Sequence, residues 1–411
     1  MIGRKNRLED LAILGGTPAF VEPLHVGCPN IGERQLLLAR INDLLDRRWL
    51  TNNGPYVQEL ERKIAAFVGV KHCIAMCSGT VALEITIRSL GLHGEVIIPS
   101  FTFIATAHAL LWQHITPVFS DINRKTHNID PGKVEQLITE RTTAIIGVHL
   151  WGRACEVNTL TKISRRYNLK LVFDAAHAFG GSYEGHMIGN FGDAEVFSFH
   201  ATKFFNTFEG GAAVTNDDEL AARIRTMRNF GFAGYDNVMS LGTNGKMSEV
   251  AAAMGLTSFQ SLDEFIAVNH RNYKLYQEEL GGVPGVQLLT YGESERYNYH
   301  YIVLEIDEAL AELSRDQLYD ILWAENVRAR RYFYPGCHRM EPYRSLFPHA
   351  DLLLPNTEYV AGRVLCLPTG TAVRPDEISR VCEIVRLAVA GGREVKARLR
   401  RALVSRGRLG V

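Results

Sequence analysis

Seven short apolar runs rich in β-branched residues punctuate the first half of the chain: Cys73–Met76, Glu95–Pro99, Thr116–Ser120, Ala144–His149, Lys170–Asp174, Ala194–Phe199 and Gly211–Thr215. In several of them the apolar residues are consecutive rather than alternating. Strands buried on both faces read that way, as in a mostly parallel sheet covered by helices. Between the runs, segments such as Thr80–Leu90 and Val157–Tyr167 place apolar residues at helical spacing, so the pattern predicts an α/β layer architecture. After Thr215 the character changes. Asp217–Asn229 predicts a helix, Phe230–Lys246 is glycine-rich and polar without periodicity, and Met247–Leu280 predicts a long helical region broken near Ser261. An aperiodic stretch of that length inside a compact protein is usually functional or interfacial. From about Tyr297 onward, His300–Ile306, Ser314–Glu325 and Pro375–Ala390 predict a second, smaller α/β unit. The expected division is residues 1–260 for an N-terminal segment and the large sheet, and 261–411 for a connecting helix and the smaller unit.

Composition narrows the function class. The 411 residues are 46% hydrophobic and 22% charged, with 45 basic and 45 acidic side chains, the profile of a soluble globular protein. Zero net charge argues against bulk nucleic-acid binding, although one small anionic ligand needs only local charge. The zero is itself a sum. Residues 391–411 hold seven Lys and Arg against Glu394 alone, a net +6 that leaves −6 on residues 1–390. The expected fate of that tail is a solvated or frayed helix. The seven cysteines are scattered without a CxxC pair, which disfavours a disulfide framework or structural zinc and fits a reducing cytoplasm. Neither a secretory signal nor a membrane-length apolar run is visible.

Three clusters carry candidate chemistry. Cys77-Ser78-Gly79-Thr80 lies between a strand and a helix, where small residues let backbone N–H groups close on an anion; taken alone, the motif reads first as an ordinary helix cap. Asp174 ends an apolar run and opens Asp174-Ala175-Ala176-His177. Ligands bind at the carboxyl ends of strands in open α/β sheets, and a carboxylate there can hold a cation or a protonated heteroaromatic nitrogen. Lys203 follows another run amid apolar and aromatic neighbours, where desolvation would lower its pKa toward nucleophilic use. An anion cradle, a strand-end aspartate and a later lysine, in that order, are the parts that pyridoxal phosphate requires.

With those residues stand further motifs: Asn52-Asn53-Gly54-Pro55-Tyr56, Pro99–Thr106, Gly147–Gly152, Ser198–Lys203, Gly242–Glu249 and Leu367-Pro368-Thr369-Gly370. Together they resemble the pyridoxal-phosphate sugar aminotransferases of the DegT/DnrJ type over nearly the whole chain. The resemblance implies the aspartate aminotransferase fold (fold type I), with a mostly parallel seven-stranded sheet and a smaller C-terminal α/β domain. It implies Lys203 as the Schiff-base lysine and Asp174 as partner of the pyridine nitrogen. Gly79, Thr80 and Ser198 match phosphate contacts, Phe103 the aromatic stacked on the cofactor ring, and His177 a position near the phenolic oxygen, where many relatives have glutamine. Asn244 matches an asparagine that a neighbouring subunit offers to the phosphate, which implies a homodimer with shared active sites. Lys246 stands where many relatives have arginine, and it loses that residue's bidentate fork.

A narrower resemblance lies in Gly147–Arg153, Ala194–Lys203 and Ala329–His338. It points to the subgroup that uses L-glutamate to aminate dTDP-4-keto-6-deoxy-D-glucose at C4 in deoxyamino-sugar pathways of antibiotic biosynthesis. The alternative is another ketosugar nucleotide, a 3-keto dTDP sugar or a GDP sugar. Tyr332, Tyr334, His338 and Lys246 are the substrate candidates.

Overall fold

The computed structural model describes residues 5–407, with side chains through Leu399. Its centre is a seven-stranded sheet. The strands are β1 (His72–Met76), β2 (Glu95–Pro99), β3 (Thr116–Ser120), β4 (Thr142–Val148), β5 (Lys170–Asp174), β6 (Ala194–Ser198) and β7 (Gly211–Thr215). They lie in the order β1-β7-β6-β5-β4-β2-β3. β7 runs antiparallel to both neighbours and the remaining pairs are parallel. The consecutive apolar runs have the expected cause. Val96, Ile98, Ala144, Ile146 and Val172 face one core, while Ile97, Ile145, Leu171 and Phe173 face another on the opposite side. Alternate side chains of each strand thus enter different helix-covered layers, so these positions are apolar in succession rather than in alternation.

The elements that matter for a site begin with helix α1 (Gly79–Ser89), directly after β1. Helix α2 (Asp218–Arg228) is capped by the Asp217 side chain, which accepts from Leu220 N–H. Residues 230–246 carry turns and isolated bridges only. The long helical region is two helices, α3 (Glu249–Gln260) and α4 (Leu262–Leu280), with Ser261 between them. A three-stranded antiparallel sheet follows, β8 (Val286–Leu288), β9 (Ile302–Ile306) and β10 (Val364–Leu367), and helix α5 (Pro375–Ala390) packs against α4. Among the described residues no helix is long and apolar enough to cross a membrane.

Two expectations are corrected. The N-terminal segment, grouped by sequence with the large sheet, packs elsewhere. Leu11, Ala19, Phe20 and Leu24 join the core beneath the small sheet, and Leu24–His25 pairs in parallel with Val327–Arg328. The basic tail is not free at its start: helix α6 (Gly392–Gly407) buries Val395, and Arg393, Lys396 and Arg398 pair with Glu312, Glu308 and Glu9. Acidic body and basic tail therefore meet in ion pairs. Arg408 and the side chains of residues 400–407 lie outside the described residues.

The N-terminal strap hangs on one carboxylate. Glu325 is fully buried; Oε1 accepts from Ala12 N–H at 2.7 Å and Oε2 from Ala19 N–H at 2.7 Å, with Lys5 Nζ 3.0 Å away. Breaking a buried pair by removing one partner costs about 3–5 kcal/mol. Glu325→Ala is therefore expected to lower stability by about that much in urea unfolding, and to expose residues 5–20 to limited proteolysis. An unchanged unfolding midpoint would remove Glu325 as the anchor.

Candidate active site

The carboxyl ends of β1, β5 and β6 open on one cavity of ≈ 350 Å³. It receives Gly79 and Thr80 from the start of α1, Asp174 from the end of β5, and Ser198 and Lys203 from β6 and the turn beyond it.

The first pole is an anion cradle. Ser78 caps α1, its Oγ accepting from Val81 N–H at 3.1 Å. The N–H groups of Gly79 and Thr80 precede the first intrahelical bond and sit at the positive end of the helix dipole. Cap and cradle are thus the same structure, so the two sequence readings of this motif do not compete. Strand β7 draws the cradle inward: Gly211 pairs with Met76 on one side and Ser198 on the other. A Cβ on Gly211 would stand 2.5 Å from Gly79 N, and one on Gly79 would stand 2.8 Å from Ser198 Cβ. Only two facing glycines allow this approach.

The second pole is Asp174, nearly buried, with Oδ2 accepting from Thr106 Oγ1 at 2.8 Å and Oδ1 from Ala176 N–H at 3.1 Å. Two donors fix the carboxylate plane while leaving lone pairs for a further partner.

The third pole is Lys203, held on a turn by its N–H bond to His200 O (2.8 Å) and by the buried rings of Phe204 and Phe205. Burial pushes its amine down to about 8, against the opposing pull of Asp174. A substantial neutral fraction then exists near physiological pH, as a nucleophile and general base requires.

The remaining candidates divide. His177 is buried against Trp151, Phe333 and Tyr301, and burial, reinforced by Lys203 and His300, holds it well below the usual imidazole range. Its Nδ1 accepts from Trp151 N–H (3.4 Å), so the neutral ring carries its proton on Nε2. Phe103 is 55% exposed at the cavity, whereas Phe101 fills the core; Phe103 is therefore available to a ligand. Tyr332 also lines the cavity. Tyr334 does not: it lies under Arg315 and Arg331. His338 does not either, being buried with Nδ1 hydrogen-bonded to Ser100 Oγ (2.7 Å) and Nε2 to Glu358 Oε1 (2.6 Å). That leaves it no ring nitrogen for substrate. Asn244 and Lys246 are also outside their own chain's cavity. Asn244 is exposed, and Lys246 donates to Asn229 Oδ1 (2.9 Å) in a separate cleft with Asn52, Asn53 and Arg228.

Several residues had no signal in the periodicity. Thr106, His300 and Arg330 reach the site through contacts across the fold. Arg330 lines the cavity, stacks on Tyr332 at 5.3 Å and makes no ion pair with a described residue. Its guanidinium is engaged with Tyr332 rather than with a carboxylate.

Comparison with known proteins identifies the family of the chain. Residues 32–386 match the DegT/DnrJ/EryC1/StrS aminotransferase family. The chain is 36% identical over 365 residues to the dTDP-4-amino-4,6-dideoxy-D-glucose transaminase of Shigella dysenteriae, covering 89% of this chain and 99% of that one. It is 35% identical over 349 residues to the GDP-perosamine synthase of Caulobacter vibrioides, covering 82% and 91%. The structure of DesI in the presence of its TDP-sugar product superposes with a TM-score of 0.92 at 50% identity, covering 96% of this chain and 100% of that one. The chain belongs to the DegT/DnrJ/EryC1/StrS family and is an aminotransferase of fold type I.

Proposed function

We propose that this enzyme transfers the amino group of L-glutamate to C4 of dTDP-4-keto-6-deoxy-D-glucose, giving dTDP-4-amino-4,6-dideoxy-D-glucose and 2-oxoglutarate, with pyridoxal 5'-phosphate as cofactor. The observation that carries the chemistry is a half-buried lysine whose amine is pushed down to about 8, between a fixed carboxylate and a helix N-terminus. Those groups fit the cofactor pole by pole. Gly79, Thr80 and Ser198 take the phosphate, Asp174 the protonated ring nitrogen, His177 Nε2–H the phenolic oxygen, and Phe103 one ring face. The support for the sugar is the names of the relatives.

The bound cofactor supplies an electrophilic aldehyde and a ring that accepts the electron pair released when the α-proton departs. The chain does the rest. Asp174 keeps a proton on the ring nitrogen. Lys203 Nζ would remove the α-proton of glutamate and deliver it to the carbon that was the cofactor's aldehyde, as base and then acid. In the second half-reaction Lys203 works in the opposite direction, with the ketosugar in place of 2-oxoglutarate. The guanidinium of Arg330, which lines the cavity on Tyr332 without a carboxylate partner among the described residues, suits the anionic groups that donor and sugar nucleotide both carry. Asn244 and the Lys246 cleft complete the site of a second subunit, as a homodimer in the cytoplasm.

Three outcomes are expected. In cofactor-free protein Lys203 should react with trinitrobenzenesulfonate with a midpoint near pH 8, where ordinary lysines, at about 10.4, stay protonated. A midpoint at the ordinary value would contradict the poised amine.

Incubation with glutamate and dTDP-4-keto-6-deoxyglucose should yield the 4-amino sugar by mass and NMR, with Lys203→Ala inactive. Turnover confined to GDP-4-keto sugars, as the likeness to GDP-perosamine synthase would allow, or to 3-keto dTDP sugars would overturn the substrate.

Mixing inactive Lys203→Ala and Asn244→Ala chains after mild denaturation should restore about a quarter of wild-type activity, since half the dimers are hybrids with one intact site. No recovery would mean that sites are not shared.

A further inference from the structure

Two side chains in the segment entering β9 grip both loops that carry the charged poles of the cavity. Asn298 is buried, and its Nδ2 donates to the carbonyl oxygens of His177 (2.8 Å) and Phe179 (3.1 Å), in the loop that begins at Asp174. Its Oδ1 accepts from His300 N–H at 3.1 Å, and its own carbonyl accepts from Asn269 Nδ2 at 2.9 Å. Every polar atom of the Asn298 side chain is therefore spent on holding backbone. Two residues on, His300 Nε2 lies 2.9 Å from Thr202 O, the carbonyl of the peptide that leads into Lys203.

The state of that imidazole follows from its partners. A carbonyl only accepts, so Nε2 carries the proton. Burial and the nearby Lys203 charge push the ring down to about 4, so it is neutral. Nδ1 is then a bare acceptor, buried and without a hydrogen-bond partner. Leaving such a group unsatisfied is destabilising, because its lost hydration is not replaced. An apolar ring of the same size would pack there without that cost, but it would also release Thr202 O. The charged and titratable groups around Lys203 are Asp174, His177 and His300, with Glu209, His200 and Arg330 on the same cavity wall.

We propose that Asn298 and His300 are positioning residues that set the Lys203 amine against Asp174, Asn298 by holding the loop after Asp174 and His300 by holding the peptide before Lys203. Neither touches the reacting atoms in this role. The brace works from the small-sheet side on two loops of the large sheet, so it fixes a distance that neither loop could fix alone. A shift of about 1 Å in such a pair can cost about 10²-fold in rate.

The test reads Lys203 directly. In cofactor-free His300→Phe, the pH midpoint of Lys203 modification is expected to rise from about 8 toward the ordinary value of about 10.4, as the released loop admits water. In the holoenzyme kcat is expected to fall about 10²-fold with the donor KM little changed. His300→Gln, which keeps an N–H for Thr202 O, should leave the midpoint in place and restore most of kcat. Asn298→Asp, which replaces two donated bonds by repulsion from two carbonyls, should behave like His300→Phe. A folded His300→Phe protein with the wild-type midpoint and kcat overturns the proposal. Should that variant not fold, Asn298→Ser decides: a raised midpoint supports the brace and an unchanged one overturns it. The midpoint is read without cofactor or substrate, so its outcome is independent of which sugar the enzyme aminates.

Discussion

The site depends on keeping the charge on Lys203 marginal. Burial alone would drive the amine to a neutral state that could not give a proton back. Close pairing with Asp174 alone would lock it as an ammonium that could not take one. The two effects oppose each other and leave it near 8. That balance is sensitive to geometry because both parts vary steeply over a few ångströms in a low-dielectric pocket. The neighbours are consistent with it. Thr106 and Ala176 hold the Asp174 carboxylate in place, and His177 and His300 are kept uncharged, so neither adds a cation beside the lysine.

The sheet provides the spacing. Parallel strands bring their carboxyl ends to one edge, which places Asp174 opposite Val196 and two residues short of Ser198 without any long loop. The cradle is harder to reach, because β1 lies beyond β7 in the strand order. The antiparallel β7 solves this by starting at the edge where its neighbours end, and Gly211 and Gly79 remove the side chains that would hold α1 away. One reversed strand and two missing Cβ atoms thus convert an ordinary helix cap into the wall of a cavity.

Much of this was legible in the sequence because it is local. Consecutive apolar residues in Val96–Ile98 and Leu171–Phe173 report burial on both faces, and the residue that closes such a run reports a strand end, which makes Asp174 legible; Lys203 is marked only by its apolar and aromatic neighbours, and Ser198 only by the family resemblance. What was hidden lies in contacts distant along the chain. His300 reaches Thr202, Asn298 reaches His177, and Thr106 reaches Asp174; no periodicity encodes such pairs. His338 misled for the opposite reason. An aromatic, basic stretch looks the same whether it lines a cavity or, as here, spends both ring nitrogens on Ser100 and Glu358. The N-terminal segment misled because its few apolar residues, Leu11, Ala19 and Phe20, do not announce which core they join.

The 230–246 segment shows how far a single chain can account for its own site. It exposes Tyr235, Val238, Met239 and Leu241 and leaves Asn244 outside the cavity, yet its root is tied to the cradle. Cys77 N–H donates to Gly245 O at 2.9 Å and Met76 bridges to Lys246, immediately before Ser78 and Gly79. A Cβ on Gly245 would meet Ile85 and Val81 of α1 at 2.9 and 3.1 Å, so the root also packs against the helix whose N-terminus forms the cradle. The root of the segment thus meets the start of α1 through one hydrogen bond and one close contact. Apolar surface of the kind its tip exposes is costly to leave in water. Proposed shared occupancy of the site and the observed stem geometry thus meet at the same two residues, Gly79 and Gly245.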